Sequence, residues 1–245
     1  MKNFLQIKNI SKSYKLGETN ILSFVEDIKI FLNKDYKKKN VKLILDNCSL
    51  SLKKGDSVAI LGKNGAGKST LLKIISKITY PDKGHVIYEG TIASMLSIVN
   101  SLEQDFTGEE NIFFLGSGMG FSKNEIKKKL NKILEFSEIG AFKDTPIKRF
   151  STGMRVRLSF SICLNLNCDI ILADEVLTVA DMYFQKKCIK FLKEIIKKKS
   201  KIILFVSHDR SLNLNICKKG IILNKGNLSK QYNIKKAYKI YDSLK

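Results

Sequence analysis

The chain has 245 residues, and its 44 Lys and Arg side chains against 23 Asp and Glu give a formal net charge of +21. The length suffices for one large domain or two small ones with a substantial core. No apolar run approaches the ~18 residues of a membrane-spanning helix, and residues 1–7 are too polar for a signal peptide, so we expect a cytoplasmic chain.

The positive charge comes almost entirely from lysine, because the sequence contains only four arginines. Such a charge suits a nucleic acid or an anionic membrane surface. Base recognition and forked phosphate contacts favour arginine, however, and its scarcity argues against a nucleic-acid partner. A chain rich in Lys, Ile and Asn can also acquire this charge from genomic base composition, so the origin of the charge stays open.

The five cysteines show neither C-x-x-C spacing nor paired Cys/His clusters. Four of them lie in apolar or helix-like stretches. We therefore expect buried, reduced thiols rather than a metal site. The cysteines are Cys48, Cys163, Cys168, Cys188 and Cys217.

The first elements of the chain are predicted from apolar spacing. Residues 7–14 predict an edge strand and turn, residues 20–32 a helix with one apolar face, and residues 41–45 a second strand. The lysine-rich residues 37–40 would form a loop between the helix and the second strand. The apolar face of the helix could rest on a partner, but we expect it to pack on the chain's own core.

A strand, a glycine-rich loop and a helix follow. Residues 57–61 predict a buried strand and residues 70–75 a helix. Between them, Gly62-Lys63-Asn64-Gly65-Ala66-Gly67-Lys68-Ser69 fits the pattern G-x-x-x-x-G-K-[ST] of a phosphate-binding P-loop. Glycines let backbone N–H groups point at phosphate oxygens, and the helix N-terminus adds its dipole. Lys68 would reach the β- and γ-phosphates, and the Ser69 hydroxyl would hold Mg²⁺.

Helices and strands alternate through the rest of the chain. The apolar periodicity predicts a strand at 85–88, mostly helix at 109–166, strands at 169–173 and 202–206, and a helix at 182–198. This pattern indicates a parallel sheet with flanking helices, interrupted by a helical insert at about residues 96–160.

Polar residues follow the later strands. Asp174 and Glu175 follow the strand at 169–173, which is the Walker B arrangement when a P-loop is present: Asp174 would bind the Mg²⁺ shell and Glu175 would orient the attacking water. His208 follows the strand at 202–206 and could contact the γ-phosphate.

An apolar helix opens with Ser151-Thr152-Gly153-Met154. Its N-terminus is a second place for an anion, although by itself it would be an ordinary N-cap.

These motifs occur in the order and at the spacing of the ATP-binding subunits of ABC transporters, which the chain resembles over nearly all of its length. The resemblance implies a single α/β domain, residues 1–245, with the P-loop NTPase ABC ATPase fold. Residues 1–95 and 161–245 would form a RecA-like parallel sheet core with an antiparallel β edge. Residues 96–160 would form an inserted helical signature subdomain.

The resemblance also implies which residues bind ATP and Mg²⁺. Tyr14 would stack on adenine, and Asp181 would belong to the D-loop. Lys68, Glu175 and His208 would be catalytic, whereas Ser69 and Asp174 would hold the metal. The remaining ATP contacts would come from Gly62, Lys63, Asn64, Gly65, Ala66, Gly67, Thr70, Ser151 and Gly153.

A narrower resemblance is carried by residues 106–112, 136–140 and 184–188 and by Ser151-Thr152-Gly153-Met154. These runs are similar to the polysaccharide-export subfamily. That subfamily implies a homodimer that is peripheral on the cytoplasmic face of the inner membrane and powers export of a lipid-linked polysaccharide, such as O-antigen, teichoic acid or capsule, through a separate permease subunit. Because the chain stops at Lys245, it resembles the short members that lack a carbohydrate-binding domain.

Two positions depart from the family pattern. Thr152 replaces the usual small residue but keeps a hydroxyl. Ser97 stands where the Q-loop usually has Gln or Glu, and its shorter side chain puts that contact to Mg²⁺ or water in doubt; Gln104 lies seven positions later.

Two alternative functions remain open from the sequence. The first is an ATPase subunit that serves another solute, which in an importer would usually show a Q-loop glutamine and Ser-Gly-Gly-Gln. The second is a soluble, non-transport ABC ATPase of ribosomes or DNA repair, which usually carries two ATPase halves or a coiled-coil insert.

Overall fold

The computed structural model describes residues 5–15, 41–95, 98–173 and 181–244. The predicted helix at 20–32, the lysine-rich loop, Ser97 and the pair Asp174-Glu175 therefore lie outside the described residues.

The described ranges contain strands and helices in alternation. The strands are β1 (Leu5–Lys15), β2 (Val41–Leu52), β3 (Ser57–Leu61), β4 (Lys83–Tyr88), β5 (Ile92–Ser94), β6 (Ile170–Ala173), β7 (Ile202–Phe205), β8 (Lys219–Asn224), β9 (Asn227–Leu228) and β10 (Tyr232–Asn233). The α-helices are α1 (Lys68–Ile75), α2 (Gly108–Gly118), α3 (Lys123–Ser137), α4 (Thr152–Asn165), α5 (Met182–Lys197), α6 (Arg210–Ile216) and α7 (Ile234–Ser243).

The central sheet has the strand order β10-β8-β3-β7-β6-β5, with β9 paired to β8. The strands from β8 to β5 run parallel, and β10 is antiparallel to β8. Every residue of β3, β6 and β7 is buried, as expected for strands covered on both faces. Because they are parallel, these strands end at one edge of the sheet, where the P-loop follows β3 and His208 follows β7.

Two apolar clusters cover the two faces of this sheet. Along β3, Val58 and Ile60 belong to one cluster, whereas Ala59 and Leu61 belong to the other, because successive side chains of a strand point to opposite faces. The first cluster lies against α1 and the N-terminal strands, and the second against the helical insert. The predicted parallel core with helices on both sides is confirmed.

A second, antiparallel sheet has the order β2-β1-β4 and supplies the predicted β edge. β2 extends to Leu52, beyond the predicted residue 45. Asn9 and Asn47 adopt positive φ, at 51° and 47°, where the register of β1 against β2 shifts, and Asn9 Nδ2 donates to Asn47 Oδ1 at 2.8 Å across this irregularity. Pairing then resumes between Ile7 and Leu50.

The helices of the insert begin at sequence-encoded caps. Thr107 with Glu110, and Ser122 with Glu125, form reciprocal capping boxes at the starts of α2 and α3. Helix α4 extends to Asn165, past residue 160, and the predicted boundaries of the helical subdomain stay a prediction. Within the described ranges, no helix combines the length and apolar content that crossing a bilayer requires.

Candidate functional site

The P-loop joins β3 to α1 and depends on glycine at three positions. Gly65 and Gly67 have φ of +74° and +102°, which L-residues rarely adopt. A Cβ on Gly62 would lie 2.5 Å from the carbonyl oxygen of Leu223, so β8 can approach the loop only where a side chain is missing. Gly67 is also the N-cap of α1, which leaves the N–H groups of the first turn without a side-chain cap among the described residues. Such a loop is built to receive an anion.

Lys68 lies inside this loop and is only 7% exposed. Its Nζ atom donates to the carbonyl oxygens of Gly62 at 2.8 Å and Lys63 at 3.1 Å. The loop itself is tightened by a bond from Ala66 N to the Lys63 carbonyl oxygen at 3.1 Å. The ammonium group is thus held on the inner side of the loop, where a bound phosphate would meet a cation that is already positioned.

One open groove of about 580 Å³ connects the P-loop with two of the other predicted ligands. It is lined by Tyr14, Lys42, Ile44, residues 64–70 and His208. Tyr14 is 39% exposed at the end of β1, and Lys12 Nζ lies 5.4 Å from the centre of its ring. The structure therefore brings together the predicted adenine, phosphate and γ-phosphate contacts on one surface.

The signature residues Ser151, Thr152 and Gly153 differ from the P-loop because they do not line the described groove. The Ser151 side chain caps α4 by accepting from Met154 N at 3.2 Å, and Ser151, Thr152 and Gly153 are all exposed. A Cβ on Gly153 would meet only Ser151 Oγ, at 3.9 Å, so packing inside the described part of the chain does not require a glycine there. Neither Ser151 nor Gly153 lines the described groove around the P-loop.

Asp181 is likewise exposed and separate from the groove as described. It is the N-cap of α5, and its Oδ1 atom accepts from Phe184 N at 2.9 Å. The cap gives Asp181 a local structural role, and its predicted D-loop role stays a prediction.

An Mg²⁺ site would need oxygen ligands at this edge of the sheet. Ser69 lies in the first turn of α1 and lines the groove, so its hydroxyl fits that requirement. The described residues contain no group of three or more His, Cys, Asp or Glu side chains that could hold a metal ion. The second predicted ligand, Asp174, lies outside the described residues.

The cysteines are confirmed as buried free thiols. Burial raises the pKa of Cys168 to about 11 and that of Cys188 to about 12, so both stay protonated at neutral pH. They are not candidates for nucleophiles.

A second, smaller cavity of about 140 Å³ also has Lys68 in its lining. Its lining includes His208 and three residues of α7: Tyr238, Tyr241 and Asp242. Sequence reasoning missed these residues because no motif marks α7. The sequence offers one signal, which is the polar residue Asn213 between the apolar residues Leu212 and Leu214.

Comparisons with known proteins agree with this geometry. The family model described as ABC transporter matches residues 45–178. The O-antigen export system ATP-binding protein RfbB of Klebsiella pneumoniae is 38% identical over 219 residues, which are 89% of this chain and 88% of that protein. The teichoic acids export ATP-binding protein TagH of Bacillus anthracis is 36% identical over 98% of this chain, which spans 42% of TagH.

Solved structures give the same fold. The ATP-binding subunit of an ABC transporter matches with a TM-score of 0.76 at 20% identity, covering 98% of this chain and 93% of that one. A dimeric post-hydrolysis cassette bound to ADP and phosphate matches with a TM-score of 0.72 at 24% identity, covering 94% and 99%. At these identities the structures establish the fold, and the fold predicted from the motifs is confirmed.

Proposed function

The chain belongs to the ABC transporter family and is an ATPase of that family, and from this premise we propose that it powers export of a lipid-linked polysaccharide through a separate permease subunit. The observation that carries the proposal is the similarity to RfbB, an O-antigen export protein, over nearly the whole length of both chains. TagH, named for teichoic acid export, supports the same class of cargo. The chain would then work as a peripheral protein on the cytoplasmic face of the membrane.

The lining of the groove supports a separate role for each residue that would contact ATP. Tyr14 stacks on the adenine ring, the P-loop N–H groups hold the phosphates, and Lys68 offsets charge on the phosphoryl group that is transferred. Ser69 and Asp174 would hold Mg²⁺, which would supply further charge neutralisation. His208 contacts the γ-phosphate, and Glu175 orients and polarises the attacking water.

Two copies of the chain complete each site in this proposal. Ser151 and Gly153 are exposed and do not line the described P-loop groove of their own chain, so they are available to cover the nucleotide of a second copy. A head-to-tail homodimer would enclose two ATP molecules between P-loop and signature helix. Enclosure excludes water, which strengthens the electrostatic stabilisation of the transition state.

We expect the permease to dock on an exposed aromatic surface of the helical insert. Phe106 and Phe114 are 40% and 48% exposed and contact each other edge to face, with ring centres 5.6 Å apart. Phe114 lines two open grooves, of about 780 Å³ and 750 Å³. Ser94 and Ile98 line the larger one and lie three residues before and one residue after the Q-loop position in the sequence, so a segment docked there would contact the chain close to that position in the sequence.

The test is reconstitution of the chain with the membrane protein encoded beside it, in vesicles of inner-membrane lipids. We expect a lipid-linked oligosaccharide to stimulate ATP hydrolysis, and Phe114→Ser to remove the stimulation while the isolated subunit keeps its basal rate. Stimulation by a periplasmic solute-binding protein, with no response to lipid-linked sugar, would instead establish an importer.

A further inference from the structure

We infer that helix α7 sets the position of His208, with Asn213 and Tyr238 as positioning residues for ATP hydrolysis. The inference rests on the proposed contact of His208 with the γ-phosphate. Asn213 lies on α6 and is completely buried. Its Nδ2 atom donates to the carbonyl oxygen of Ser207 at 2.8 Å and to the hydroxyl of Tyr238 at 2.7 Å. One amide thus joins α7 to the backbone next to His208.

The other side of His208 is held by the same short helix. Asp209 caps α6, with its Oδ1 atom accepting from Ser211 N at 2.7 Å and from Leu212 N at 3.2 Å. Asp209 N also donates to Ser207 Oγ at 3.0 Å. Both neighbours of His208 are therefore fixed to α6, and the position of His208 follows the position of that helix.

Helix α6 has seven residues, too few to be stable without tertiary contacts. Helix α7 can supply them because it is seated firmly on the sheet. Ala237 packs on β8 so closely that a Cβ on Gly220 would lie 2.6 Å from the Ala237 Cβ atom. The line of contact runs from the sheet through α7, Tyr238 and Asn213 to Ser207.

The link between Asn213 and Tyr238 is buried and therefore strong, since Tyr238 is 5% exposed. Burial raises the pKa of Tyr238, so its hydroxyl stays protonated at neutral pH. A second link, from Arg210 Nη1 to Asp242 Oδ2 at 2.9 Å, is exposed and contributes less. Of these two hydrogen bonds, the buried one contributes more to holding α6 on α7; Arg210 also lies over the Tyr238 ring, 4.6 Å from its centre.

An apolar side chain at position 213 could fill the same space, but it could not join Ser207 to Tyr238. Asn213 Oδ1 has no hydrogen-bond partner among the described residues, and a buried unpaired oxygen costs free energy that an apolar side chain would avoid. The small cavity is lined by Lys68, His208 and Tyr238 together, so α7 faces the same space as these phosphate-site residues.

The test is Tyr238→Phe, which removes only the hydroxyl and keeps the buried ring. The matched control is Tyr232→Phe, which makes the same change on β10 at a residue that lines neither described cavity beside Lys68. Each variant is made in the wild-type and in a His208→Ala background. Steady-state Mg-ATP hydrolysis is measured at a temperature where circular dichroism shows all variants folded.

In the wild-type background we expect Tyr238→Phe to lower kcat about fivefold, the equivalent of one net hydrogen bond, with KM for ATP changed by less than about twofold. In the His208→Ala background it should have no further effect, because the residue it positions is gone. Tyr232→Phe should leave kcat unchanged in both backgrounds.

Three outcomes would overturn the inference. An unchanged kcat in Tyr238→Phe, or an equal loss in both backgrounds, shows that α7 does not act through His208. If His208→Ala itself keeps the wild-type kcat, the proposed role of His208 fails first and the inference fails with it.

Discussion

The P-loop and the signature tip, which is the exposed start of α4 at Ser151-Thr152-Gly153, are two halves of one proposed site, and they differ in how the chain's own packing fixes them. Lys68 is 7% exposed and held by two carbonyl oxygens of its own loop, and Gly62 is fitted against β8. Ser151 and Gly153 are exposed, and a Cβ on Gly153 would meet only Ser151 Oγ among the described residues. The P-loop is held in place by contacts within the chain, whereas the signature tip is exposed to solvent.

The contrast explains why one chain can bind a nucleotide without enclosing it. The groove of about 580 Å³ beside the P-loop is open, so solvent screens the charges that would stabilise the transition state. A second copy that supplies its signature tip would remove this solvent.

The largest loss is expected for Lys68→Ala. The variant removes the buried cation of the P-loop, and ATP hydrolysis should fall about a thousandfold because phosphoryl transfer depends on charge stabilisation. Turnover with a folded variant checks this, and a near-normal rate would overturn the P-loop assignment. A circular dichroism spectrum like that of the wild type establishes the fold.

Glu175→Gln separates binding from hydrolysis. The amide fills the same space but polarises water poorly, so turnover should fall about a hundredfold while ATP affinity is kept. Nucleotide affinity and turnover are measured on the same preparation. A collapse of affinity with normal turnover per bound ATP would assign Glu175 another role.

Tyr14→Ala should have the smallest effect, on binding alone. Loss of adenine stacking should weaken ATP affinity by about 1–3 kcal/mol. Tyr80→Ala is the matched control, because Tyr80 is 79% exposed and does not line the described groove. Equal affinities of the Tyr14→Ala variant and the control would leave Tyr14 without a role in binding.

Local sequence patterns predicted most of the fold, including the strand, loop and helix that carry the candidate P-loop. The strand, loop and helix around Lys68 are contiguous, so periodicity and one motif were enough to place them. The bond between Asn213 and Tyr238 joins residues 25 positions apart through tertiary packing, and no local pattern indicates it. The length of β2 was missed for a related reason, because its polar centre is bridged by Asn9 from another strand.

The exposure of the signature tip also depends on packing that a linear motif does not encode. The sequence placed Ser151 and Gly153 at a helix N-terminus, and the structure confirms that cap. Whether the tip faces its own P-loop or another chain follows from the arrangement of α4 against the sheet. Asp174 and Glu175 stay predictions from the sequence.

Sedimentation velocity of the Glu175→Gln variant, with and without Mg-ATP, tests the central claim that a second chain completes the site. The account predicts a monomer without nucleotide and a dimer with Mg-ATP, because the uncleaved triphosphate bridges both chains. Adding Gly153→Asp should abolish the dimer, since its carboxylate would face the γ-phosphate and repel it. An ATP-induced dimer that survives Gly153→Asp would contradict the account, because the signature tip would then not close the site.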